Sequence, residues 1–413
     1  MIRALGLSSM VLVATALPGC VLDGPVGKEH QNQNAAGGTG GGSAATGGAG
    51  TGSTAGSAGA GGGTAGTGGV ASPEVVLPIN ATEGCVVALK VVGPDLFYVQ
   101  RLPPSTNGTL SFSLRSIPKT PTAGAKPTVL LDAPVPAGWE WLDTGETFAL
   151  GSDGTDGYFA INYDEPYTAQ AIPRKILRVP ATGAPTTLVT ETSTQRILPN
   201  VSVVDGHLYY VLGNSGGGTL KRVPLAGGAA QTVTDVEFVA GGGVAPYAVH
   251  GDYAYKCSNV YWPAGVTRVS LTTGTEEELA AYAGNPVMSC YELSSDGKDV
   301  YMLGIESKDP QTLKWGLLSA SATPSGSAPS GMQLLSQSMD FSGGLRMHGG
   351  QLFFLTNGPD TADLVRRDPA QGKDTVLMSQ LMGRYQTYAS AFDVDSTHAY
   401  AAHYCSDLVR TPK

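Results

Sequence analysis

Val203-Val204-Asp205-Gly206-His207-Leu208-Tyr209-Tyr210-Val211 leads through a Gly-rich turn into Leu220-Lys221-Arg222-Val223-Pro224-Leu225-Ala226-Gly227-Gly228, and then into Gln231-Thr232-Val233-Thr234. Apolar and aromatic residues alternate along this stretch, and Asp-Gly or Gly-Gly marks each turn. That pattern specifies three short antiparallel strands joined by hairpins.

The same unit recurs along the chain. Its aromatic second strand reads Leu96-Phe97-Tyr98, Tyr158-Phe159, Leu208-Tyr209-Tyr210, Tyr253-Ala254-Tyr255, Val300-Tyr301, Leu352-Phe353-Phe354 and Ala399-Tyr400. Its third strand ends in an Arg motif at Arg178, Arg222, Arg268, Arg367 and Arg410, and one residue out of step at Arg115. Thr186 to Val189, Glu276 to Leu279 and Thr375 to Leu377 continue as fourth strands. Seven units over about 340 residues give a period near 50, in the range of propeller blades. The last unit stops after its third strand, and Glu74-Val75-Val76-Leu77-Pro78 is a strand without a blade of its own. Together they complete one blade and close a ring. The expected fold is therefore an all-β, seven-bladed β-propeller over residues 73–413, with six or eight blades as alternatives.

Composition separates this body from what precedes it. Residues 35–69 contain only Ala, Gly, Ser and Thr and hold 17 of the 57 Gly. Such a stretch cannot bury a core, so residues 21–72 read as a disordered low-complexity linker with an r.m.s. reach of roughly 40 Å. Net charge is −9, carried by the body without basic runs, which argues against nucleic acid as a partner. Met1-Ile2-Arg3 followed by an apolar run over 4–17 has the form of a signal peptide over 1–20.

Leu17-Pro18-Gly19-Cys20 resembles the lipobox of bacterial lipoproteins, in which the Cys becomes the lipidated first residue; Pro18 departs from the usual residue there. The resemblance implies lipidation at Cys20 and a domain held at the bacterial cell envelope, at the outer membrane on the weak ground that no acidic residue follows Cys20 directly. Ordinary cleavage and secretion is the alternative. The Asp-Gly hairpins, above all Ser294-Ser295-Asp296-Gly297-Lys298 before Val300-Tyr301, resemble the repeats of TolB-type and WD40-like propellers. That likeness concerns the fold and transfers no catalytic residue.

An exported body with Cys85, Cys257, Cys290 and Cys405 fits two disulfides. Cys257 follows the second strand of blade four and Cys290 opens blade five. Cys405 and Cys85 stand in the same relation across the ring closure. Blade register therefore predicts Cys257–Cys290 and Cys85–Cys405, with four buried thiols as the alternative.

Catalytic signals are weak. Gly213-Asn214-Ser215-Gly216-Gly217 matches a nucleophile elbow, but it falls between two β-strands where the motif needs a strand-to-helix turn. His207, His250, His348 and His398 sit at first-to-second-strand turns around the ring, without metal-ligand spacing. The in-register Arg residues serve the blade rather than a ligand. Aromatic residues are the better candidates: Trp139, Trp141, Tyr163, Tyr167, Tyr261 and Trp262 fall in loop classes that leave one face of a propeller and Trp315 opens the third strand of blade five after such a loop, so their rings can stack on sugars or peptides. The plainer alternative for them is packing between blades.

The leading expectation is an envelope-tethered, non-catalytic, monomeric propeller that binds a protein, peptide or glycan through these residues. It has no cofactor or metal, and meets the membrane only through its lipid. One alternative is a propeller enzyme of lactonase, lyase or glycosidase type, with Asp143, Asp153, Asp156 or Asp395 near the channel. Another is a structural scaffold. Three or more Asp, Glu or His converging at the channel would favour an enzyme.

Overall fold

The computed structural model describes residues 72–80, 82–103, 111–134, 148–161, 171–214, 217–237, 246–259, 265–281, 287–307, 314–324, 330–338, 341–357, 362–381, 392–403 and 407–413. These belong to one compact unit, Thr67–Lys413. Every element among them is a β-strand, and the strands form seven separate sheets.

Blade one is Cys85–Val92, Asp95–Leu102, Ser111–Pro118 and Thr128–Pro134; blade two is Phe148–Ser152, Asp156–Ile161, Ile172–Pro180 and Thr186–Ser193. Blade three opens with a broken strand, Arg196–Ile197 and Ser202–Val204, both paired with His207–Asn214, and continues through Gly217–Pro224 and Gln231–Glu237. Blade four is Tyr247–His250, Tyr253–Asn259, Gly265–Ser270 and Glu276–Ala281; blade five is Val287–Ser295, Asp299–Ser307, Lys314–Ser321 and Gln333–Ser338. Blade six is Phe341–His348, Gln351–Asn357, Ala362–Asp368 and Lys373–Met378. Blade seven is Phe392–Val394, His398–Ala402 and Asp407–Pro412, completed on its outer edge by Glu74–Pro78. Glu74 pairs with Arg410 and Pro78 with Asp407, which is the predicted closure.

The first strand of each blade touches the first strands of the blades on either side, and blade seven's touches blade one's. Seven first strands therefore surround a central axis, and the chain is a seven-bladed β-propeller. The core lies between blades. Tyr98, Tyr158, Tyr210, Phe353 and Tyr400 on the second strands are buried in clusters shared by neighbouring blades. Their alternation drives this arrangement, because one face of each sheet packs on the blade before it and the other on the blade after it. Each fully buried large side chain contributes about 1.5–3 kcal/mol.

Two features go beyond the expected pattern. Ser330–Gly331, between the third and fourth strands of blade five, crosses to pair parallel with Glu276–Ala281 and covers the outer edge of blade four. In blade three the break in the first strand centres on Asn200, whose φ of +81° is one that Asn tolerates. The predicted linker and signal peptide lie outside the described residues, and so does Cys20.

Candidate functional site

The hairpins between first and second strands repeat one device. In blade two, Asp153 accepts hydrogen bonds from the amides of Thr155 and Asp156, both at 2.7 Å, and from the Tyr158 hydroxyl at 2.7 Å. In blade five, Asp296 accepts from the amides of Lys298 and Asp299 and from the Tyr301 hydroxyl. In blade seven, Asp395 accepts from Thr397 and His398 and from the Tyr400 hydroxyl. An Asp five residues before the buried Tyr of the second strand thus closes the turn and satisfies the phenol. Gly154 and Gly297 follow the Asp with the same φ of +83°, which explains the Ser-Asp-Gly spelling of the motif in those two blades.

This device accounts for two of the carboxylates that an enzyme reading would use, Asp153 and Asp395. Burial favours the neutral form of Asp395, but Lys119 at 2.8 Å and the turn amides outweigh it and hold the carboxyl below its usual range. Asp153 is lowered in the same way by the Asp156 amide and the Tyr158 hydroxyl, against the effect of burial. Asp156, the third candidate, is buried against Arg178 at 2.6 Å. Asp143 lies outside the described residues.

Along the axis runs a cavity of about 520 Å³ lined by all seven blades. It reaches the face that carries these hairpins, through Gly154, Ser295, His348 and Ser396. Charged residues on its wall include Lys90 of blade one, Arg346 of blade six and Asp393 of blade seven. Lys90 Nζ lies 3.4 Å from Asp393, whose second oxygen accepts from the Val91 amide at 2.8 Å. Burial lowers the Lys90 pKa; Asp393 opposes that shift and Arg346 adds to it. Behind the wall, Glu292 of blade five accepts from the amides of Gly344 and Leu345 in blade six, at 2.8 and 2.5 Å. Burial pushes the Glu292 carboxyl up, against the pull of Arg346 and those two amides. Between blades three and four, the Asn200 side chain donates to the Tyr247 carbonyl at 3.1 Å, and the Tyr247 hydroxyl donates to the Asn200 carbonyl. Neighbouring first strands are thus tied by polar side chains that sequence periodicity does not reveal.

Asp393, Asp395 and His348 do converge on this cavity. Among the described residues no group of His, Cys, Asp and Glu has the arrangement of a metal site.

Of the aromatic candidates, Trp139, Trp141, Tyr163, Tyr167, Tyr261 and Trp262 lie outside the described residues. Trp315 is placed by its backbone in Lys314–Ser321, paired with Ile305 and Ser338, at the end of blade five remote from the hairpin at Asp296. The disulfide Cys257–Cys290 joins blades four and five, with Cα atoms 6.4 Å apart. Cys257 lies within its second strand rather than after it, and Cys290 is the fourth residue of its first strand. Cys85 is also disulfide-bonded, whereas Cys405 lies outside the described residues. Asn214 and Gly217 pair as neighbours on two antiparallel strands, so the elements flanking the motif are strand and strand rather than strand and helix; Ser215 itself lies outside the described residues.

The recurring Arg residues are structural where their partners are described. Arg268, Arg367 and Arg410 each bind the acid opposite them on the fourth strand: Glu277, Asp374 and Glu74. Arg268 also donates to the Ala322 carbonyl of blade five, and Arg410 to the Lys119 carbonyl of blade one, one blade further round in both cases.

Comparison with solved structures finds distant likenesses of fold. An acylaminoacyl peptidase of Pyrococcus horikoshii superposes with a TM-score of 0.50 at 9% identity, over 80% of this chain and 52% of that one. The propeller domain of the Trilobed protease from Pyrococcus furiosus gives 0.49 at 10% identity, over 82% of this chain and 94% of that domain. TolB from Acinetobacter baumannii gives 0.42 at 13% identity, over 71% and 63%. This chain spans about half the length of the peptidase, and identities this low establish the fold alone. No protein family and no curated protein matches the sequence.

Proposed function

We propose that the chain is an envelope-tethered, non-catalytic binding propeller. Its ligand, a protein, peptide or glycan, is engaged through Trp139, Trp141, Tyr163, Tyr167, Tyr261, Trp262 and Trp315. The observation that carries this reading is the use made of the available acids. Asp153 and Asp395 close hairpins and Asp156 pairs with Arg178, so folding accounts for them without a reaction. The anchor in this reading is a lipid on Cys20.

The enzyme reading draws its support from the convergence of Asp393, Asp395 and His348 on the axial cavity. A screen of the purified protein against peptides, glycans and cell-wall fragments separates the two. Binding of one class without turnover, lost in Trp139→Ala or Trp262→Ala, supports the binding reading. Turnover abolished by Asp393→Asn, with both Trp variants unaffected, overturns it.

A further inference from the structure

The ring repeats its joints, and one joint lacks a part. Between blades two and three, Tyr210 is the fourth residue of its second strand and pairs across to Lys221. Both meet Glu191 on the outer strand of blade two, with the hydroxyl and the ammonium each 2.7 Å from one carboxylate oxygen. Between blades three and four, Lys256 is again fourth in its strand, and it binds Glu276 at 2.8 Å beside Thr234 of blade three. At both joints the cation is neutralised by an acid of the protein.

Between blades seven and one, the positions of Tyr210 and Lys221 are held by Tyr98 and Arg115. The position of Glu191 is held by Ile79. Glu191 stands five residues beyond Thr186, the partner of Arg178, and Ile79 five beyond Glu74, the partner of Arg410; both outer strands bulge after the second of these residues. No described acid forms an ion pair with the half-buried Arg115, whose Nε donates to Ser113 Oγ at 3.2 Å. In place of the missing carboxylate there is a cavity of about 570 Å³, lined by Ile79, Tyr98 and Arg115, with Leu77 and Pro127 as apolar wall. Exposed Glu83 lines it too, and the charges of Arg115 and Glu83 both reach the Tyr98 hydroxyl. A part-buried guanidinium without a counter-charge is unfavourable, and a carboxylate accepting from it and from the phenol relieves that cost. Glu83 disfavours a second negative charge on the same ligand. The volume lies within the range of small-molecule pockets.

We propose that the cleft between blades seven and one binds a small monocarboxylate with an apolar arm. Its carboxylate takes, between Arg115 and the Tyr98 hydroxyl, the place that Glu191 holds one joint away from blade one's far side, and its arm lies on Leu77 and Ile79. None of the aromatic candidates takes part, so either reading can fail without the other.

The test is calorimetric titration of the purified protein with isocaproate, its neutral amide isocaproamide, and acetate at fixed ionic strength. Expected is saturable one-site binding of isocaproate, with the amide and acetate each at least about tenfold weaker. Arg115→Gln weakens isocaproate by about tenfold or more, the worth of one charge-assisted contact. Ile79→Glu supplies the missing acid from within the chain, so it abolishes binding while thermal unfolding stays at or above that of the parent protein. Isocaproate binding that is absent, or no tighter than that of the amide or of acetate, overturns the proposal. So does unchanged affinity in a folded Arg115→Gln or Ile79→Glu. Should the variants fail to fold, the comparison of the three ligands on the unmodified protein still decides.

Discussion

Glu292→Ala removes a side chain that ties blade five to blade six at the channel wall. Its carboxylate is 7% exposed and accepts from two buried amides, Gly344 at 2.8 Å and Leu345 at 2.5 Å. Each amide left without a partner costs about 1–3 kcal/mol. Against that loss, the truncation relieves the penalty of burying a carboxylate, the same penalty that pushes this carboxyl up. The net expectation is a loss of about 2–4 kcal/mol. With an unfolding entropy near 2.1 cal/mol/K per residue over about 340 residues, Tm falls by roughly 3–6 °C at neutral pH.

Glu292→Gln adds a second observable. A carboxyl whose folded pKa is raised costs nothing below the unfolded value of about 4.3, and costs progressively more as pH rises through the folded value. The stability of the parent protein relative to Glu292→Gln therefore declines as pH rises from about 4. Thermal unfolding by calorimetry between pH 4 and 8 measures both effects. An Ala variant within about 1 °C of the parent would refute the tie between the blades, and a Gln difference flat with pH would refute the upward push on this carboxyl.

Asp395→Asn behaves with the opposite slope: the depressed carboxyl stabilises above its unfolded pKa of about 3.9, so a loss of about 1–3 kcal/mol at pH 7 closes as pH falls below about 4, read from urea midpoints at pH 7 and 3. Replacing Cys257 and Cys290 together by Ser frees a loop closed across 33 residues, worth about 4 kcal/mol in the chain-entropy account and about 5 °C in Tm; a shift under about 1 °C would count against it. Peptide mapping without reductant is expected to join Cys85 to Cys405, and a Cys85–Cys257 peptide would break the blade register. Leu77→Ala, in the strand that completes blade seven, costs about 2–4 kcal/mol by urea unfolding, while Glu74→Gln, 64% exposed beside Arg410, stays within about 1 kcal/mol.

The blades were legible because their information is local. Alternation along Leu208-Tyr209-Tyr210 and the turn residues Asp205-Gly206 act within a few positions, and the same spelling returns around the ring. Even Glu74–Pro78 could be placed, since a strand lacking a blade and a blade lacking a strand leave one solution. The channel was not legible. Lys90, Glu292, Arg346 and Asp393 are single charges inside apolar strands, and each gains meaning only from a neighbouring blade. A charged residue within an otherwise buried first strand was the available signal. Ser330–Gly331 was missed for a related reason: a two-residue parallel pairing in another blade leaves no periodicity.

The pairing of Glu74 with Arg410 also sets an order in time. A chain is made from its N-terminus, so Glu74–Pro78 arrives first among the strands of the body and its partner, Asp407–Pro412, arrives last. Six blades can assemble as they appear, each from hairpins of neighbouring residues, whereas the first strand stays without its partner until the seventh blade is delivered. Closure of the ring thus reports delivery through residue 412. A chain interrupted a dozen residues earlier would keep its other blades and present, at the joint, two unpaired edges open to proteases.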